Sequence, residues 1–183
     1  REIANALGER LGWPVFDREV LDLMAGDDAI RRHLYEAVNE RDFKWWEAAM
    51  GRWVVGRPVV DDYFQRLCDA VLMLARQGHS VFLGRGANYI LPAGHGLRVR
   101  LHASLESRVR ACAEARKLSL AAAREAVEAE TRDRAEFVRR RFRADPDDPA
   151  GYDLVLDLQR WSVPEIIELV LAAFDLRRAR AGG

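Results

Sequence analysis

The sequence predicts an α/β fold, a parallel sheet with helices on both faces. Short apolar runs rich in β-branched and aromatic residues recur at 13–16, 81–83 and 153–157. Between them lie longer stretches whose apolar residues repeat at helical spacing. The runs themselves are too short for helices and give way to turn residues, most clearly Gly84 and Gly86.

Each element follows from its local pattern. Ile3, Leu7 and Leu11 recur at i, i+4 and i+8 and predict an amphipathic helix over 1–11, ended by Gly12. Residues 13–16 read as a strand leading to Asp17, and 19–25 as a helix closed by Gly26. Residues 29–58 mix Phe43, Trp45, Trp46 and Trp53 with arginines and Lys44. That mixture suits either a pocket that stacks on bases or a small helical subdomain with its tryptophans turned inward. A strong helical period covers 60–76, with Tyr63, Phe64, Leu67 and Val71 on its apolar face. Residues 81–83 read as a strand buried on both faces, followed by a glycine turn and a short helix near 88–91. The alternation at 97–101 predicts a strand with one wetter face. Ser104 and Ser119 are expected helix caps, the second opening a charged helix that runs through Arg143. Residues 153–157 form a last strand, Ser162 and Pro164 open a final helix, and 177–183 read as a frayed basic tail.

Composition narrows the function. A chain of 183 residues with 49% apolar and 32% charged side chains suits one soluble domain, or one core with a mobile appendage, and can bury a sizeable core. Lys+Arg and Asp+Glu are equal at 29 each, so no overall field draws the chain to nucleic acid or membrane, and neither is expected as a partner. Cys68 and Cys112 sit in helical patterns without metal-ligand spacing and read as core fillers. No apolar run reaches the length of a membrane span and no signal peptide is visible, so a cytoplasmic location is the expectation. His33, His79, His95 and His102 lack the spacing of a metal site or a nucleophile's base, and Pro146 and Pro149 break any calcium-loop spacing among Asp145, Asp147 and Asp148. No protein metal ligand is assigned, and the oligomeric state is left open.

Arg85, between Gly84 and Gly86, carries the chemistry. Ligands of open parallel sheets gather beyond the carboxyl ends of the strands. A guanidinium there matches two oxygens of a phosphate or carboxylate at once. The competing reading is an arginine that faces water from a turn.

The motifs, taken in order, resemble the cytidylate kinase-like family of P-loop nucleoside monophosphate kinases. Arg1-Glu2-Ile3-Ala4 is similar to the exit of that family's phosphate loop, a Gly-Ser-Gly-Gly-Arg-Glu-Ile-Ala pattern. Pro14-Val15-Phe16-Asp17-Arg18-Glu19 resembles its second strand and acidic turn, and Val81-Phe82-Leu83-Gly84-Arg85-Gly86 its Gly-Arg motif. Residues 101–108 resemble the strand and helix leading to its lid. Arg132-Asp133-Arg134-Ala135 and Tyr152-Asp153-Leu154-Val155-Leu156-Asp157 complete a collinear match over nearly the whole chain. The motifs are short, and their order and spacing carry the resemblance.

The resemblance implies a single kinase-like domain over 1–183 with a P-loop NTPase-like sheet. It adds a small helical insertion for the monophosphate at about 27–58 and an Arg-rich helical lid at about 119–148. The first strand and most of the phosphate loop would then precede Arg1. It also implies ATP and Mg2+ as cofactors, nucleotides as the small-molecule partners, and phosphoryl transfer to CMP or dCMP. Arg1 and Glu2 would meet the ATP phosphates, although a general P-loop has a lysine and a Ser or Thr there. Asp17 would orient the acceptor phosphate or the magnesium shell, or cap the next helix. Arg85, with Gly84 and Gly86, would hold the acceptor phosphate. The better-known bacterial cytidylate kinases carry an Asp after this arginine that reads the cytosine amino group. Here Gly86 stands there, which leaves Asn88 as the next polar side chain for the base. Arg132, Arg134, Arg139 and Arg141 would close over the transferring group, with Thr131 where many relatives have Asp. An Arg-rich helix face paired with Glu128, Glu130, Asp133 and Glu136 is the plainer alternative. A kinase with another acceptor, or an inactive nucleotide-binding regulatory module, is the competing function.

Overall fold

The computed structural model describes residues 1–27, 62–92 and 94–181, so nearly all of the expected insertion at 27–58 lies outside the described residues. The chain forms two compact units, Arg1–His95 and Gly96–Gly183.

In the first unit, α1 (Glu2–Leu11) buries Ile3, Ala4 and Gly8 and ends at Gly12, whose left-handed φ of 67° turns the chain into β1 (Val15–Phe16). Gly8 is required by how closely the strand returns. A Cβ there would lie 2.6 Å from Val15 Cγ2 and 2.8 Å from the Trp13 carbonyl oxygen. β1 pairs in parallel with β2 (Val81–Phe82), Val15 opposite Val81 and Phe16 opposite Phe82. α2 (Arg18–Gly26) packs on α3 (Asp62–Gln77). Leu21 and Ala25 of α2 are fully buried, as are Leu67, Val71 and Leu72 of α3. From Leu67 to Leu74 every residue of α3 is buried, Asp69 included, so this stretch is enclosed around its whole girth and not on one face alone. A short α4 (Ala87–Ile90) follows β2.

In the second unit, β3 (Val99–His102) runs parallel to β4 (Leu154–Asp157) in a four-residue ladder. α5 (Leu105–Arg116) and α6 (Leu120–Phe142) pack around Val109, Ala123 and Val127, with Leu105, Cys112 and Ala113 against them. Ser104 Oγ accepts from the Ser107 N–H at 3.3 Å and Ser119 Oγ from the Ala122 N–H at 3.2 Å, so both serines cap as expected. A 3-10 turn at Pro149–Gly151 leads to β4, and α7 (Val163–Ala181) closes the chain. No helix among the described residues is long and apolar enough to cross a membrane.

The mixed α/β class with parallel strands stands, but three expectations change. Among the described residues the strands form two two-stranded ladders, not one sheet. After Phe82 the chain leaves the strand through three consecutive left-handed residues, so β2 offers only a two-residue ladder. Val81 and Phe82 are half-buried instead of enclosed on both faces. Residues 177–181 of the expected basic tail are the last turns of α7 and not frayed chain, and 182–183 lie outside the described residues. Ile166, Ile167 and Val170 anchor that helix, and Arg177 is tied to Asp153 ahead of β4.

Candidate functional site

Asp17 and Gly84-Arg85-Gly86 leave the same carboxyl edge of the β1–β2 pair. The rings of Phe16 and Phe82 stack at 5.6 Å across the ladder, and the Leu83 N–H donates to the Phe16 carbonyl at 2.9 Å. Beyond that bond the backbone takes φ values of 83°, 51° and 71° at Gly84, Arg85 and Gly86. Glycines reach this region at no steric cost, whereas a side chain there is strained. Arg85 is therefore held in a conformation its own backbone does not prefer.

Asp22 supplies the hold. Arg85 Nε donates to Asp22 Oδ1 at 2.8 Å while Nη2 donates to Oδ2, a two-point ion pair with Arg85 only 16% exposed. The Tyr63 hydroxyl, from α3, donates to the same Asp22 Oδ1, and Arg18 Nε lies 3.7 Å from Oδ2. Burial pushes the Asp22 carboxyl up, but the hydrogen bonds from Arg85 and Tyr63 and the nearby guanidinium charges outweigh it and leave it below the usual carboxylate range. Burial and the bond to Asp22 push the Tyr63 hydroxyl up to about 12. Sequence reasoning missed Asp22 altogether and read Tyr63 only as part of an apolar face. The available signal was the i, i+4 spacing of Arg18 and Asp22, which marks a paired acid without naming its distant partner.

A second cluster joins Arg1, Asp17 and Glu19. Asp17 Oδ1 accepts from the N–H groups of Glu19 and Val20, both at 3.1 Å, so Asp17 is the N-cap of α2. Arg1 Nε donates to Asp17 Oδ2 at 3.0 Å, and Arg1 Nη2 donates to the same oxygen and, at 3.0 Å, to Glu19 Oε2. The Arg1 bond, then the Val20 N–H, holds the Asp17 carboxyl below its usual range, and the bonds to Asp17 and Glu19 raise Arg1. Two of the residues expected at the donor phosphates and the acidic turn thus meet. Glu2 is exposed in the first turn of α1.

Asn88 lies on α4, just past Gly86, and its Nδ2 is buried without a hydrogen-bond partner. A buried donor left unsatisfied costs about 1–3 kcal/mol, so it calls for an acceptor.

The expected lid arginines belong to the second unit, on the single continuous helix α6. Arg132 and Arg134 are exposed, and Arg139 Nη2 lies 3.7 Å from Asp145 Oδ1. Arg141 is half-buried. Thr131 ties α6 to α5: its hydroxyl accepts from Arg108 Nη1 at 2.8 Å and donates to the Val127 carbonyl at 2.6 Å.

No curated protein matches the chain. Among solved structures, the crystal structure of an uncharacterized protein from Eubacterium ventriosum is similar, with a TM-score of 0.74 at 17% identity. The alignment covers 94% of this chain and 89% of that one, a shared fold. Residues 1–160 match the cytidylate kinase-like family, whose name indicates a nucleotide kinase-like phosphotransferase. The chain belongs to the cytidylate kinase-like family.

Proposed function

We propose that the protein transfers a phosphoryl group from ATP to a nucleoside monophosphate, CMP or dCMP, giving the diphosphate. The observation that carries this reading is the braced guanidinium of Arg85, at the edge of a parallel strand pair where ligands of such sheets collect. Phosphoryl transfer asks a protein chiefly to align two phosphates and neutralise the charge between them. Arg85 would grip the acceptor phosphate, with Gly84 and Gly86 letting the backbone come close. Asn88 would donate its unpartnered N–H to an acceptor atom of the substrate.

ATP with Mg2+, when bound, supplies the phosphoryl group and part of the counter-charge. Magnesium prefers oxygen ligands and is usually held by one or two carboxylates together with substrate phosphates and water. The carboxylates of Asp17 and Glu19, which share the Arg1 guanidinium, fit that preference. Arg1 and Glu2 would face the donor's phosphates from the amino end of α1, where the first N–H groups and the helix dipole favour anions. Asp17 would orient the magnesium shell or the acceptor phosphate. Arg132, Arg134, Arg139 and Arg141 would close over the transferring group and exclude water.

A coupled assay of the full-length protein with ATP, Mg2+ and each monophosphate tests this. Turnover highest with CMP or dCMP is the expected result. ATP binding without turnover of any monophosphate would sink it and leave a nucleotide-binding module. Gly86, which follows Arg85 where the better-known bacterial cytidylate kinases have Asp, favours a second reading in which the same frame phosphorylates another small acceptor. Turnover that saturates with a non-nucleotide acceptor would select that reading.

A further inference from the structure

Three features meet at Arg85. Its backbone sits in the left-handed region at φ 51°, between two left-handed glycines. Its Nε–Nη2 edge is filled by a carboxylate 63 positions earlier in the chain. That carboxylate is itself fixed by Tyr63 from α3 and by Arg18 one helical turn before it. A surface arginine is a flexible chain that must be ordered each time it grips an anion. Here the plane of the guanidinium is set before any ligand arrives.

We propose that Asp22 is a positioning residue: with Tyr63 as its second anchor, it holds the Arg85 guanidinium at the angle from which it receives the phosphate of an anionic acceptor. The inference rests on the kinase reading above. The fork is specific to aspartate. Asparagine keeps the shape but replaces one acceptor oxygen with an N–H that repels the guanidinium, and glutamate shifts both oxygens by a methylene. Tyr63 restrains Asp22 Oδ1, so its loss loosens the same fork by one contact while the ion pair remains.

The test uses the full-length protein with CMP and ATP varied separately, together with the NMR signal of the Arg85 Nε–H, identified by its absence in Arg85→Lys. In Asp22→Asn the KM for CMP should rise about tenfold, the size expected for one charge-assisted contact, with the KM for ATP unchanged. The Nε–H signal, protected from solvent exchange in the wild type, should be lost. Tyr63→Phe should move the KM for CMP the same way by about threefold, within the range of a single hydrogen bond, and it carries the test should Asp22→Asn fail to fold. A merely structural role would lower the melting temperature and leave the two KM values in their wild-type ratio. Wild-type turnover with an unchanged KM for CMP in both variants would overturn this inference alone. Absence of turnover by the wild type would remove the kinase reading and this inference with it.

Discussion

Arg85 and Asp22 form a two-point ion pair across 63 positions of sequence, one from the turn after β2 and the other from the middle of α2. The pair joins a strained backbone to a packed helix. Arg85→Ala should therefore do more than remove a phosphate contact. Activity should fall by orders of magnitude, and the loss of a charge-assisted bond beside a half-buried carboxylate should cost about 1–2 kcal/mol of stability. Arg85→Lys should rescue little of either, because an ammonium cannot fill both oxygens in one plane. Kinetics with CMP and urea denaturation check the two effects. Wild-type kinetics in Arg85→Ala would remove the central assignment.

Acid should weaken both units by one mechanism. The carboxyls of Asp22 and Asp153 are each pushed up by burial, yet both end below the ordinary value of 3.8. For Asp22 the bonds from Arg85 and Tyr63 prevail, and for Asp153 the Arg98 N–H and the Arg177 guanidinium do so. A folded-state value below the unfolded one means that the unfolded chain takes up the proton first as pH falls. The stability these groups confer is complete above the unfolded value and is lost as pH drops through the depressed folded ones. Their share of the denaturation midpoint should be flat from about pH 7 to 5 and decline below about pH 4. Asp22→Asn should start from a lower midpoint and decline less steeply. An equally steep acid decline in that variant would contradict the assignment.

Gly8 and Gly12 should fail for different reasons. At Gly8 an added Cβ meets the Trp13 carbonyl oxygen and Val15, so Gly8→Ala should cost about 1–3 kcal/mol despite the better helix propensity of alanine. At Gly12 there is open space but φ is 67°, so Gly12→Ala should cost about 1 kcal/mol from backbone strain alone. Asparagine, which tolerates the left-handed region, should recover much of the loss at position 12 and none at position 8. Thermal melts of the four variants separate the two causes.

Thr131 should prove to be a bracket between α5 and α6. Thr131→Val deletes the acceptor of Arg108 Nη1, and Arg108 Nε is already buried without a partner, so about 1–2 kcal/mol of stability should go. Thr131→Asp would place a carboxylate against the same guanidinium and should regain at least part of it. Denaturant midpoints decide this, and an unchanged midpoint in Thr131→Val would contradict the bracket.

Local geometry was legible in the sequence wherever a residue acts on its neighbours. Ser104 and Ser119 cap, Gly12 ends α1, and Asp17 caps α2, because these roles depend on backbone groups two or three positions away. The strand runs were legible too, with the strand expected at 97–101 found at Val99–His102. The end of α7 was misread. A run of arginines suggests a loose tail, whereas Arg177 pairs with Asp153, more than twenty positions away.

The sequence alone determined the class of the fold, the order of its elements and the family, since periodicity, caps and motif spacing are properties of short stretches. Only the tertiary structure decided that Arg85 is braced by Asp22 and Tyr63, that Gly8 makes room for Trp13 and Val15, and that Thr131 holds Arg108. Those partners are chosen by how helices and strands pack, and a side chain's local pattern carries no record of the distant group it will meet.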